Sequence, residues 1–180
     1  MKKIAFYTLA FVLFIGTTAF ITKTNDSIDQ TEVTKSVPEL KWFNKLEEAQ
    51  AISQKTNKPI FAFFTGSDWC GWCHRLQANV FAKPEFKVWA NENVVLLELD
   101  FPRRKQLPPE IAKQNRELQA FFKPRGYPTI WIFNMNKNMT SQAYEINAFG
   151  SLGYPSGSQP GKEQLTFIAS ANKILQSKPQ

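Results

Sequence analysis

The stretch Ser67-Asp68-Trp69-Cys70-Gly71-Trp72-Cys73-His74-Arg75 holds both cysteines of the chain and its only histidine, and it sits at a junction. Before it, Pro59-Ile60-Phe61-Ala62-Phe63-Phe64-Thr65 is short, apolar and aromatic, the pattern of a buried strand. After it, Trp72 or Cys73, Leu76 and Val80 recur at helical spacing. Strand, tight polar turn, Cys-x-x-Cys and helix follow one another, so the cysteines belong to the opening of a helix.

A helix opening offers free backbone N–H groups and partial positive charge, both of which favour an anion. A thiolate is such an anion. A cysteine placed there falls from roughly 8.5 to between about 3.5 and 7.5 in pKa, and its thiolate is the attacking form. Cys70 is expected at this end and exposed. Cys73, three residues on, is expected one turn deeper on the same face. Two sulfurs so placed form a disulfide or resolve a mixed one. A bridge across two residues constrains very little unfolded chain, so it stabilises weakly and suits redox work better than structural work.

Trp69-Cys70-Gly71-Trp72-Cys73 after an apolar strand resembles the active site of the thioredoxin superfamily. Gly126-Tyr127-Pro128-Thr129, followed by Ile130-Trp131-Ile132-Phe133, resembles its cis-proline loop and next strand. Thr65-Gly66-Ser67-Asp68-Trp69, with Leu99-Asp100-Phe101-Pro102-Arg103, is similar to an exported bacterial thioredoxin-like subgroup. That subgroup is akin to the C-terminal domain of the thiol:disulfide interchange protein. The resemblance spans about residues 40 to 176. It implies an α/β thioredoxin fold, a mixed central sheet flanked by helices, and it implies protein-disulfide oxidoreductase activity. It implies no cofactor beyond a redox-active Cys70–Cys73 disulfide. The partners implied are protein thiols and disulfides and a membrane electron-donor protein that feeds a reductase. A monomer is expected.

The N-terminus bears on compartment. Met1-Lys2-Lys3 and the apolar run Ile4 to Phe20 have the layout of a secretory signal. Cleavage is expected after Ala19. Extended to Ile21, the run approaches the roughly 20 residues that span a bilayer, so an uncleaved anchor over residues 4–21 is the alternative. Either places the domain outside the cytoplasm, periplasmic or secreted. No cysteine precedes Cys70, so a lipidated cysteine is not expected. The division expected is a signal or anchor over 1–22, a polar linker over 23–39 and a thioredoxin-like domain over 40–180. At 180 residues the chain suits one domain with a sizeable core, rich in its 16 Phe and 5 Trp. The formal charge of +7, lowered by two if Lys2 and Lys3 leave with the signal, is scattered, and nucleic-acid binding is not expected.

Along the chain, Lys41-Trp42-Phe43 reads as a short edge strand. Leu46 to Thr56 reads as a helix with Leu46, Ala49 and Ile52 on its buried face. The active-site helix is expected from Gly71 to about Phe81, and a further helix from Pro84 to about Asn93. Val94 to Asp100 is nearly all apolar, as a central parallel strand would be. A basic loop with prolines covers 101–109. Glu110 to Phe122 reads as a helix, apolar at Ile111, Leu118, Phe121 and Phe122. A strand over 129–135, a turn at Asn136-Lys137-Asn138 and a strand around 142–149 are expected to pair antiparallel. A long Gly/Ser/Pro loop over 150–161 precedes a last helix from Lys162 to about Leu175.

Candidate roles follow. Cys70 is the nucleophile and Cys73 the resolving thiol. Trp69 and Trp72 form an apolar collar that contacts substrate; the bland reading is packing of the turn. The resemblance implies a cis Pro128, with Tyr127 offering backbone groups to an added substrate strand; otherwise Pro128 is an ordinary loop proline. The superfamily's usual buried acid is missing from Ile60 to Thr65, and Gln77 stands where the interchange protein carries Glu. Glu98 and Asp68 are the candidate proton acceptors. Glu98 is either a perturbed carboxylate in an apolar strand or a strand-end residue reaching solvent. Arg103-Arg104-Lys105 either meets an acidic partner or is a solvated loop.

Cys-x-x-Cys-His is also the c-type haem attachment signature, with Met135 and Met139 as the methionines available for a second axial position. A haem electron carrier is therefore one alternative, and a redox-silent binding module on the same fold is another. Structural zinc is not expected, because it wants four Cys or His ligands and the chain offers two cysteines and one histidine.

Overall fold

The structure is a computed structural model that describes residues 37–137 and 144–177. The signal or anchor, most of the linker, Met139 and residues 138–143 lie outside the described residues. Five strands form one sheet in the order β1-β3-β2-β4-β5: β1 Trp42–Phe43, β2 Ile60–Thr65, β3 Val95–Asp100, β4 Thr129–Lys137 and β5 Tyr144–Leu152. The strands β1, β3 and β2 run parallel, and β4 and β5 pair antiparallel on the other side of β2. The fold is the mixed-sheet thioredoxin fold expected from the sequence, with α1 Leu46–Thr56, α2 Gly71–Leu76, α3 Pro84–Asn93, α4 Pro109–Phe122 and α5 Glu163–Gln176.

The central strand explains why the motif must sit where it does. All six residues of β2 are buried, because helices cover both faces of the sheet. Phe61 and Phe63 point into one core with Cys70, Cys73, Phe86 and Phe167. Ile60, Ala62 and Phe64 point into the other, with Leu97, Leu118 and Phe133. The first core is aromatic: Phe61 is ringed by Trp42, Phe81, Phe86, Trp89 and Phe167 at centroid distances of 5.9 to 6.3 Å. Phe81 reaches it from a wide turn. The α-helix expected to run to Phe81 stops at Leu76, and Gln77–Phe81 is a π-turn in which Ala82 N–H donates to the Gln77 carbonyl at 2.8 Å.

Other boundaries differ from the sequence reading. Ile52 is 36% exposed, and the buried face of α1 is Ala49, Gln50 and Ser53. The Ser53 hydroxyl donates to the Lys58 carbonyl at 2.6 Å and turns that polar face inward. Phe121 is 54% exposed, while Asn115 takes a buried place on α4 by donating to the Asp100 carbonyl at 2.9 Å. β4 continues through Lys137, and β5 continues through Gly150 to Leu152, so the loop begins at Gly153. The reason is a bulge. The register shifts from Ile132↔Gly150 to Phe133↔Ala148, and the pairing carries past the glycine.

Candidate active site

The site is built from the polar turn that joins β2 to α2. Gly66 makes that turn possible, because a Cβ on it would run into the indole of Trp69. The amides of Trp69 and Cys70 both donate to the Gly66 carbonyl, at 3.2 and 2.8 Å. Three anchors from the next segment hold the turn. Asp100, at the end of β3, accepts from Ser67 N–H at 2.8 Å and from the Ser67 hydroxyl at 2.7 Å. Its other contact is Lys105 Nζ at 2.9 Å from Oδ2, and this bond raises the lysine pKa above its ordinary 10.5. The Trp69 indole N–H donates to the Phe101 carbonyl at 2.8 Å. Asp68 accepts from the amides of Arg103 at 3.0 Å and Arg104 at 2.7 Å, and chiefly the Arg103 amide lowers its pKa from the ordinary 3.8.

Asp100 is 7% exposed and engages the Ser67 amide, the Ser67 hydroxyl and the Lys105 ammonium. Asp100→Ala leaves the Ser67 amide and hydroxyl and the Lys105 ammonium unmatched. The expected loss is about 2 kcal/mol of stability, read as a lower urea midpoint with an unchanged slope.

Cys70 is the N-cap of α2 and is joined to Cys73 by a disulfide, with Cα atoms 5.2 Å apart. The Cys73 amide donates to Cys70 Sγ at 3.2 Å and to the Cys70 carbonyl at 3.0 Å. A backbone donor therefore points at the outer sulfur, where it supports negative charge once the bridge opens. Cys73 is fully buried. Cys70, expected to be exposed, is only 5% exposed. It packs into the first core, with Trp69 and Tyr127 half-buried against the same cluster.

The other sequence candidates divide between two sides. The Tyr127–Pro128 peptide is cis, as the resemblance implied. Tyr127 stands edge-on to Trp69 with centroids 5.7 Å apart, and its hydroxyl accepts from Gln119 Nε2 at 2.6 Å. Burial raises the Tyr127 pKa, and the Gln119 bond opposes that shift. Trp72 is 54% exposed and meets Tyr154 edge-on at 5.1 Å, while Tyr154 OH accepts from Asn79 Nδ2 at 3.0 Å. Gly153 brings this loop to the cis-proline loop, since a Cβ there would lie 3.7 Å from the Pro128 carbonyl oxygen. Tyr154, Asp100 and Gln119 were not candidates from the sequence. A carboxylate closing an apolar strand was the available signal for Asp100; Tyr154 lies in a Gly/Ser/Pro loop that carries none.

Glu98 pairs in register with Phe63 and so faces the same side of the sheet as the cysteines. It lines a cavity with Phe63, Gln77, Phe81 and Lys87, the Gln77 position being one turn beyond Cys73. Desolvation raises its pKa above the ordinary 4.5, with the Asp100 charge adding to the shift. A raised folded-state pKa contributes stability below pH 4.5 that is lost as pH rises through the folded value. Glu98→Gln should therefore gain stability over wild type progressively above pH 4.5. Parallel urea curves from pH 4 to 8 check this; a constant difference across that range contradicts a raised Glu98.

His74 Nε2 lies 2.9 Å from the Ser67 carbonyl oxygen, so the ring folds back on the turn. Met135 is buried in the second core, across the sheet from the cysteines. The Cys-x-x-Cys-His run thus has its inner sulfur sealed, and Met135 lies on the wrong face to ligate a haem held there. Among the described residues no three His, Cys, Asp or Glu side chains converge as a metal site, and no helix is long and apolar enough to cross a membrane.

Strand, capped disulfide and cis-proline loop define a thioredoxin-like protein. The thioredoxin-like family model matches residues 41–134, and the chain belongs to that family. It is similar to the disulfide bond reductase DsbH of Chlamydia pneumoniae, 36% identical over 107 residues, and to the thioredoxin-related protein DsbJ of the same organism, 27% identical over 134 residues. Those matches cover 59% and 74% of this chain. The chain spans 64% of the length of the first relative and 36% of the second. A solved DsbH oxidoreductase superposes with a TM-score of 0.66 at 27% identity, covering 85% of this chain and 95% of that one.

Proposed function

We propose that this protein is an exported thiol:disulfide oxidoreductase that reduces protein disulfides. The observation that carries the reading is the Cys70–Cys73 disulfide at the opening of α2, its outer sulfur accepting the Cys73 amide. In the reduced protein the Cys70 thiolate attacks one sulfur of a substrate disulfide and expels the other as a thiolate. A mixed disulfide forms at Cys70. Cys73 then loses its proton, attacks Cys70 Sγ and releases the second substrate thiol. The pair becomes a disulfide and two electrons pass to the substrate. A dithiol donor of lower potential must restore the pair, and a membrane electron-donor protein suits that place.

Glu98 is the better supported acceptor for the Cys73 proton, because it shares the cysteine face of the sheet and its pKa is raised. Asp68 is held ionised by backbone amides on the outer side of the turn, which suits an anchor. Tyr127 and Pro128 present the backbone groups that an extended substrate would pair with, and Trp69 and Trp72 wall the approach to Cys70. The reductase direction is supported by the name of the DsbH relative and by the resemblance. Export, whether to the periplasm or through an anchor over residues 4–21, is supported by the basic and apolar N-terminus.

Two measurements test the proposal. The purified protein should accelerate insulin reduction by dithiothreitol. Its reduction potential should fall nearer to the about −270 mV of thioredoxin than to the about −120 mV of a strong oxidant. A potential at the oxidising end would reverse the direction, and inertness towards insulin would leave a redox-silent binding module.

A further inference from the structure

Both tryptophans of the motif carry a guanidinium. Arg103 Cζ lies 3.9 Å from the Trp69 ring centroid, and Arg75 Cζ lies 4.7 Å from that of Trp72. The two arginines come from different elements, the loop after β3 and helix α2, and their tryptophans bracket Cys70 in the chain. A cation over an aromatic face is attracted by the ring quadrupole. That contact uses the ring face and takes none of the five N–H donors, so the planar fork that fits a carboxylate stays available.

The nearby acids are already engaged. Asp100 is bonded to Ser67 and Lys105, and Asp68 accepts the amides of Arg103 and Arg104. Among the described residues neither Arg75 nor Arg103 forms an ion pair. Both side chains are exposed, as are Arg104 and Arg125, the latter two residues before Tyr127. The basic run expected either to meet an acidic partner or to be merely solvated therefore splits. Lys105 is structural, whereas Arg103 is posted beside the motif.

We infer that Arg75 and Arg103 form a recognition subsite for carboxylates flanking the disulfide under attack, so that the favoured substrates are cystines in acidic polypeptide segments. This rests on the exchange chemistry proposed above. A carboxylate on either side of the target sulfur meets a guanidinium set on a tryptophan, and the pairing aligns that sulfur with Cys70. A basic flank meets like charge and is turned away.

The test uses the reduced protein and three small disulfides: dithiodiglycolate (anionic), hydroxyethyl disulfide (neutral) and cystamine (cationic). Each rate is divided by the rate of the same disulfide with dithiothreitol, which removes intrinsic reactivity. At low ionic strength the anionic-to-cationic ratio should exceed about tenfold and should shrink in 0.5 M salt. The Arg75→Gln/Arg103→Gln double variant should lose most of that ratio. Lys55→Gln, which removes a charge near the end of α1, should keep it. A wild-type ratio near one overturns the subsite. So does an equal fall in the Lys55 and arginine variants, which would assign the preference to overall charge. Failure of all three disulfides to react removes the exchange chemistry itself, and the subsite with it.

Discussion

Cys70→Ser should lose at least about 1,000-fold of the insulin-reductase rate, because no other group in the site can form the mixed disulfide. Cys73 cannot substitute: it is fully buried behind Cys70. Cys73→Ser should fail differently. Its Cys70 still attacks, yet nothing then displaces the bound substrate, so covalent complexes should accumulate on non-reducing gels. The two variants thus separate attack from resolution. Turnover that survives in Cys70→Ser would falsify the exchange mechanism. Turnover in Cys73→Ser without trapped complexes would show that an external thiol does the resolving.

The second large effect concerns the core behind the site. Phe61→Ala empties the centre of five aromatic side chains, each within 6.3 Å of the lost ring. Those rings come from β1, the π-turn, α3 and α5, so no single element can shift to fill the space. The expected cost is about 4 kcal/mol, the range for a buried Phe whose cavity does not collapse. For a chain of this size that lowers the melting temperature by roughly 10 °C. Phe121→Ala, on the same count of atoms removed, should change stability little, because its ring is 54% exposed. Thermal melts of the two variants side by side check the contrast; equal losses would contradict the buried ring of five.

The contrast between Phe61 and Phe121 also marks what the sequence could and could not reveal. Long apolar runs such as Ile60 to Thr65 and Val95 to Asp100 reveal both their strands and their burial, because a strand buried on both faces needs no phase. Helices need one, and in α1 and α4 polar side chains set it. In α1 only Leu46, Ala49 and Ile52 were there to define a stripe, and the Ser53–Lys58 bond rotated the buried face towards Gln50 and Ser53. In α4 the buried stripe runs through Ile111, Asn115, Leu118 and Phe122, with Asn115 bonded to the strand end, and Phe121 falls outside it.

The site was legible where chemistry is local. The Cys pair and its place at a helix opening follow from a short motif, and the cis proline from the resemblance that motif carries. What escaped was the contribution of residues distant in the chain. Tyr154 reaches Trp72 from beyond β5, and Gln119 reaches Tyr127 from α4. The shielding of Cys70 belongs to the same class, because it depends on a tertiary cluster that no window of the motif contains.

The complete enclosure of Cys73 has a protective consequence. Peroxide oxidises a thiolate through sulfenic acid to sulfinic and sulfonic acids, and the last two steps are irreversible for most proteins. Here only Cys70 keeps any exposure, at 5%, and a sulfenic acid formed on it has a thiol waiting one helical turn away. Condensation to the internal bridge then competes with a second encounter with peroxide. The damage returns to the ordinary working cycle, as a disulfide that any reducing partner can reopen.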